Sequence, residues 1–263
     1  MDLGLTGHVA IITGGSDGIG KAAALSLAKE GAKVAICARR QELLDAAAEE
    51  IRAATGGEVL AVACDVTDES QVRAMVTEVV ERWGTVNILV NNAGTSSAQR
   101  FEDVTDETWE TDLGIKVNGA IYCTRAVLAH MKAAGGGRII NVTTPGGKAP
   151  GRSSLPTSMS RAAGLALTKA LSRDYAGDNI LVNTICIGLI KSGQHERRYQ
   201  SAVERDPNLT RDAFYDQMGQ RVPLGRVGEA QEAGDVICFL ASARASYLTG
   251  TAINIDGGTS PVL

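Results

Sequence analysis

Eight residues near the N-terminus, Thr13-Gly14-Gly15-Ser16-Asp17-Gly18-Ile19-Gly20, hold the clearest chemical potential of the chain. Glycine lets a backbone turn tightly and approach a phosphate closely, and a helix starting at the end of such a run adds free N–H groups and a positive dipole end. The run therefore predicts a pyrophosphate cradle made by Gly14, Ser16, Asp17, Gly18, Ile19 and Gly20. The same letters also spell Gly-x-Ser-x-Gly, with Ser16 as a nucleophile. A hydrolase elbow normally follows several strands and needs an acid and a histidine downstream, and no convincing pair follows here.

A second constellation stands at Ala38-Arg39-Arg40. In a dinucleotide fold the residue ending the second strand faces the adenosine ribose, where an acid favours NAD(H) and a guanidinium clamps an added 2′-phosphate. Arg39 and Arg40 predict NADP(H) over NAD(H), with Asp17 pulling the other way and a plain solvated helix start as the bland alternative. A third, His195, Arg197, Arg198 and Tyr199, lies in a polar segment at about 191–222 that breaks the rhythm of the chain. A long insertion of that kind is expected to lid a ligand site, although His195 reads more simply as a polar surface residue and the arginines as solvated.

The elements that must position these residues alternate. Short β-branched runs are predicted as strands at Val9–Thr13, Lys33–Ala38, Val59–Cys64, Ile88–Asn91, Arg138–Thr143, Ile180–Ile187 and Ala252–Ile255. Helical periods fall between them at Gly18–Glu30, Gln41–Ala54, Glu69–Trp83, Thr108–Lys132, Ser158–Tyr175 and Ala230–Ala241. Strands separated by helices of this length predict an α/β fold, a Rossmann-type doubly wound parallel sheet of about seven strands with helices on both faces. The 263 residues, 44% hydrophobic, suit one domain over 1–263.

Composition excludes other classes. A net charge of -4 with interspersed signs offers no basic face for nucleic acid. No run of ~18 apolar residues predicts a membrane span, and residues 1–12 lack the pattern of a signal peptide, so a cytoplasmic location is expected. Cys37, Cys64, Cys123, Cys186 and Cys238 sit in apolar surroundings with no CxxC pair, which reads as reduced core residues and no metal site. His8 and His130 read as structural, and Trp83 and Trp109 as packing helices on the sheet.

Five motifs in order, Thr13-Gly-x-x-x-Gly-Ile-Gly20, Cys64-Asp65-Val66, Asn91-Asn92-Ala93-Gly94, Gly137-Arg138-Ile139-Ile140-Asn141-Val142 and Leu248-Thr249-Gly250 with Asp256-Gly257-Gly258, span almost the whole chain. In these the sequence resembles the short-chain dehydrogenase/reductase family. The resemblance implies a nicotinamide cofactor, with Gly14, Gly18 and Gly20 at the phosphates and Asp65 and Val66 at the adenine. It further implies Asn91, Asn92, Ala93 and Gly94 beside the ribose and central sheet, and Gly188, Ile190 and Ser192 near the nicotinamide amide. Ile187-Gly188 stands where the family has Pro-Gly.

The resemblance also implies an active tetrad of Asn, Ser, Tyr and Lys, and the flanking patterns put these roles on Lys116, Thr144, Thr157 and Arg161. Trp109 upstream and Gly119-Ala120 downstream favour Lys116 over Asn118 for the first. Thr144 keeps a hydroxyl and Arg161 keeps a cation for the ribose, but an aliphatic alcohol at Thr157 is far too weak an acid to replace a phenol directly. Three readings follow: NADP(H)-dependent carbonyl/alcohol interconversion with another acid (Lys116 depressed by Arg161, or His195 or Tyr199), a nucleotide-binding sensor or partner subunit, or capture of an anionic small molecule by the two cations. Family resemblance implies a homotetramer paired through the helices near 108–132 and 158–175, and the small Ala162, Ala163, Gly164, Ala166 and Ala170 agree with close helix packing.

Overall fold

The computed structural model describes residues 2–263. From the N-terminus run β1 (Val9–Thr13), α1 (Gly18–Lys29), β2 (Lys33–Ala38), α2 (Gln41–Thr55), β3 (Val59–Ala63), α3 (Glu69–Trp83) and β4 (Ile88–Asn91). Then come α4 (Asp106–Leu113), α5 (Gly119–Ala133), β5 (Gly137–Thr143), α6 (Thr157–Asp174), β6 (Ile180–Ile187), α7 (Gly193–Val203), α8 (Arg211–Gly219), α9 (Ala230–Ala241) and β7 (Ala252–Ile255). The strands form one parallel sheet in the order β3-β2-β1-β4-β5-β6-β7.

Alternate side chains of β1 feed two cores. Ala10 and Ile12 join Leu27, Ile51 and Ile237 of α1, α2 and α9, while Val9 and Ile11 join Val72, Met75 and Val127 of α3 and α5. Burial on both faces is why β1 reads as an unbroken apolar run. The chain reverses its direction of travel across the sheet between β1 and β4, and the crevice beyond their C-terminal ends is where such folds take ligands. Helix ends are fixed locally: the Asp68 carboxylate accepts from the N–H groups of Ser70 and Gln71, and Gly56 and Gly84 close α2 and α3 with left-handed backbone. At Gly234 a Cβ would stand 2.7 Å from the backbone of Ala22, so α9 and α1 cross in near-direct backbone contact.

Two expectations need correction. The single helix over Thr108–Lys132 is two helices joined by a π turn at Gly114–Asn118. Gly119 lies against Val66, where a Cβ would come within 2.9 Å of a methyl carbon, and the widened turn accommodates that approach while burying Lys116. The polar segment at 191–222, in which no helix is expected, carries the helix pair α7 and α8, which meet through Tyr199 and Phe214 with ring centroids 5.6 Å apart. Trp83 packs on the second core, whereas Trp109 is half-buried outside both.

Candidate active site

The glycine loop leaves β1 at the crevice and is strapped to the end of β4. Gly14 has φ 65°, and a Cβ on Gly20 would lie 2.2 Å from the Gly14 carbonyl oxygen, so neither position tolerates a side chain. The Asn92 amide donates to the carbonyls of Thr13 and Gly14 at 2.9 and 3.1 Å, and Thr13 Oγ1 accepts from the N–H groups of Asn92 and Ala93, both at 3.0 Å. Asp17 caps α1 by accepting from Gly18 N–H at 2.7 Å.

Two adjoining hollows open from this loop. One, of about 460 Å³, is lined by Ala38, Arg39, Asp65, Val66, Gly94 and Ile115. Arg39 is exposed, and the end of β2 presents no carboxylate. Asp65 is held by its own turn, accepting from Thr67 N–H at 3.0 Å and Thr67 Oγ1 at 2.8 Å. The other, of about 450 Å³, is lined by Ser16, Asp17, Gly18 and Ile19 from the loop and by Arg40, Ala93 and Gly94. Thr144, Thr157, Arg161, Gly188, Ile190 and Ser192 close it from the far side, with His195, Arg197 and Arg198 of α7. Gly188 is required there because a Cβ would stand 2.7 Å from Asp256 Cα.

Beneath the second hollow lies a buried charge cluster. Thr157 begins α6, and its Oγ1 accepts from Ser97 N–H at 2.9 Å and from Lys116 Nζ at 3.2 Å. Lys116 is paired with Asp112, one helical turn earlier, with both side chains at most 2% exposed. Ser160 Oγ donates to the other oxygen of Asp112 at 2.6 Å. Arg161 donates to the Val142 carbonyl at 2.6 Å, while its buried Nε has no acceptor among the described residues. Burial, and after it the Arg161 charge, pull the Lys116 ammonium down to about 8 against the opposing pull of Asp112. Burial also lowers Arg161, which stays charged because a guanidinium starts so high.

The family model described as enoyl-(acyl carrier protein) reductase matches residues 14–260. A putative ketoacyl reductase of the granaticin polyketide synthase of Streptomyces violaceoruber is 36% identical over 254 residues, 95% of this chain and 92% of that one. The chain belongs to the short-chain dehydrogenase/reductase family. Within this family of oxidoreductases, L-sorbose reductase from Gluconobacter frateurii, solved with NADPH and L-sorbose, superposes with a TM-score of 0.95 at 34% identity, with all of both chains covered. An NADPH-bound short chain oxidoreductase from Pseudomonas aeruginosa PAO1, described as containing an atypical catalytic center, superposes at 0.89 with 36% identity over 97% of this chain and 98% of that one.

Of the residues expected beside the ribose and central sheet, Asn91 lies within the sheet and lines neither hollow. Its amide donates to Asn141 Oδ1 at 2.9 Å inside the sheet, and Asn92 takes the place at the loop. Gly20 acts from behind the loop, as the contact that keeps Gly14 in place. His195 is not a surface residue: it is buried, with Nδ1 2.8 Å from the Ile190 carbonyl, and burial lowers its pKa. Tyr199 donates to the Leu209 carbonyl at 3.3 Å, packs at a tilt on Phe214 and does not line the hollow. Asp112, Ser160 and Ser97 went unread in the sequence. For Asp112 the signal was present, an acid four residues before a lysine on one helix face.

Proposed function

We propose that this chain is an NADP(H)-dependent oxidoreductase that interconverts a carbonyl and an alcohol on a small molecule. In this reading Lys116, Thr144, Thr157 and Arg161 occupy the family's tetrad positions. The observation that carries it is the convergence on one crevice of a glycine cradle and of Thr144, Thr157 and Arg161. The fit to a dinucleotide rests on two features: a loop that a Cβ at Gly20 would close, and a buried Arg161 Nε lacking a protein acceptor. Arg39 and Arg40, with no carboxylate at the end of β2, support NADP(H) over NAD(H).

When bound, the nicotinamide cofactor gives or takes a hydride. The remaining work falls to the protein. The loop and the start of α1 bind pyrophosphate, Arg161 offers a hydrogen bond to ribose hydroxyls, and the Thr144 hydroxyl polarises the substrate oxygen. Helix α7 and its N-cap Ser192 supply Ser192, His195, Arg197 and Arg198 to the wall, and α7, with α8 packed on it, acts as the lid.

Calorimetric titration with NADPH and NADH, followed by a panel of ketones, aldehydes and alcohols, tests this reading. Binding selective for NADPH with turnover of a carbonyl is the expected result. Selective binding with no turnover across the panel turns the protein into a nucleotide-binding sensor or partner subunit, and no nucleotide binding overturns the reading.

A further inference from the structure

We infer that Thr157 delivers the proton to the substrate oxygen and is recharged in the same step by Lys116 from beneath the crevice floor. This rests on the carbonyl-reducing reading above. Thr157 lines the hollow while Lys116 does not; Lys116 lines a separate small cavity under it. The Thr157 oxygen spends both acceptor positions on Ser97 N–H and Lys116 Nζ, which leaves its own O–H to donate. Among the described residues, the side-chain donor to that oxygen is the Lys116 ammonium.

An isolated threonine is too weak an acid for the task, yet a threonine that gains a proton as it loses one never becomes an alkoxide. As hydride reaches the carbonyl carbon, the π pair moves to oxygen, oxygen takes the Thr157 proton, and Thr157 Oγ1 takes a proton from Lys116 Nζ. Lys116 ends as a neutral amine and regains its proton from solvent between turnovers; oxidation runs the same transfers backwards. Asp112 is the positioning residue: it holds Nζ from one side while Ser160 holds Asp112 from α6. The titratable and charged groups facing Lys116 are Asp112 and Arg161, the first pulling its pKa up and the second, with burial, pulling it to about 8.

The experiment compares wild type with Thr157→Val, Thr157→Ser, Lys116→Met and Lys116→Arg in NADPH affinity, kcat against pH, and the Nζ titration of ¹⁵N-lysine-labelled protein by NMR without ligand. The expected results are a lysine signal, missing in Lys116→Met, with a midpoint near about 8, and a reduction rate that falls as pH rises through it. Thr157→Val should bind NADPH normally and lose roughly 100-fold or more in kcat, Thr157→Ser should recover most of it, and Lys116→Arg should move the limb upward with a lower kcat. Thr157→Val with near-normal kcat and unchanged NADPH binding, or a Lys116 signal that stays charged past its ordinary range, overturns the relay and leaves the parent reading standing. Failure of wild type to bind NADPH overturns both.

Discussion

Ser160 Oγ donates to Asp112 Oδ2 at 2.6 Å, so α6 fixes the one carboxylate that stands between two buried cations, Lys116 and Arg161. A charge buried without a partner is strongly destabilising, whereas a paired one is close to neutral. The cluster is held by this acid.

Asp112→Ala should therefore destabilise the protein by about 3–5 kcal/mol near neutral pH, measured by urea unfolding. Asp112→Ala, Lys116→Met together should recover much of that loss, because the double change removes one of the stranded charges. Equal losses in the single and double variants would contradict the account.

Lys116 also gives stability a pH dependence. Its folded pKa of about 8 lies below its ordinary 10.5, so between those values the unfolded chain binds more protons than the folded one. Stability should rise as pH climbs through that window, by up to ~3 kcal/mol from this group. Denaturant midpoints of Lys116→Met should show a flatter profile over the same range.

Gly20→Ala places a Cβ 2.2 Å from the Gly14 carbonyl oxygen, and because the backbone fixes the Cβ no rotamer relieves the contact. The loop must shift, at a cost of about 1–3 kcal/mol in stability, and calorimetry should find NADPH binding lost. Normal affinity in a folded variant would remove the cradle from the argument.

Cofactor choice is testable at Arg39. Arg39→Asp should weaken NADPH binding by about 10- to 100-fold, the worth of a charged hydrogen bond to phosphate, with little change for NADH. Parallel losses for both nucleotides would show that Arg39 does not read the 2′-phosphate.

The homotetramer that family resemblance implies is testable. Phe101, Met159 and Tyr247 are exposed, at 71%, 45% and 101%, and Met159 lies on the first turn of α6 beside the small-residue face that favours close helix contact. Light scattering after size exclusion is expected to return a homotetramer, and a monomer would exclude it.

Much of this was legible beforehand. Strand Val9–Thr13 could be bounded to the residue because a strand buried on both faces is an apolar run between turn residues, and Ile180–Ile187 because its β-branched residues flank only two polar ones, Asn183 and Thr184. The glycine loop was legible because few roles demand that many missing side chains. What stayed hidden depends on contacts far apart in the chain. The π turn keeps the helical period almost intact, so only the approach of Gly119 to Val66 betrays it. The burial of His195 follows from α7 folding back onto Ile190, and the polar composition of 191–222 concealed two helices, α7 on the wall of the crevice and α8 packed against it.

That π turn has a wider consequence. Each residue in an α-helix rotates the next by about 100°. The extra residue accommodated between Gly114 and Asn118 thus sets the azimuth at which Lys116 leaves its helix. A chain one residue shorter here, with every side chain otherwise retained, would keep the sheet and the loop and turn its ammonium away from Thr157. Spelling and placement are separable properties in this protein, and an insertion or deletion that leaves composition almost untouched could move a reactive charge more completely than any substitution.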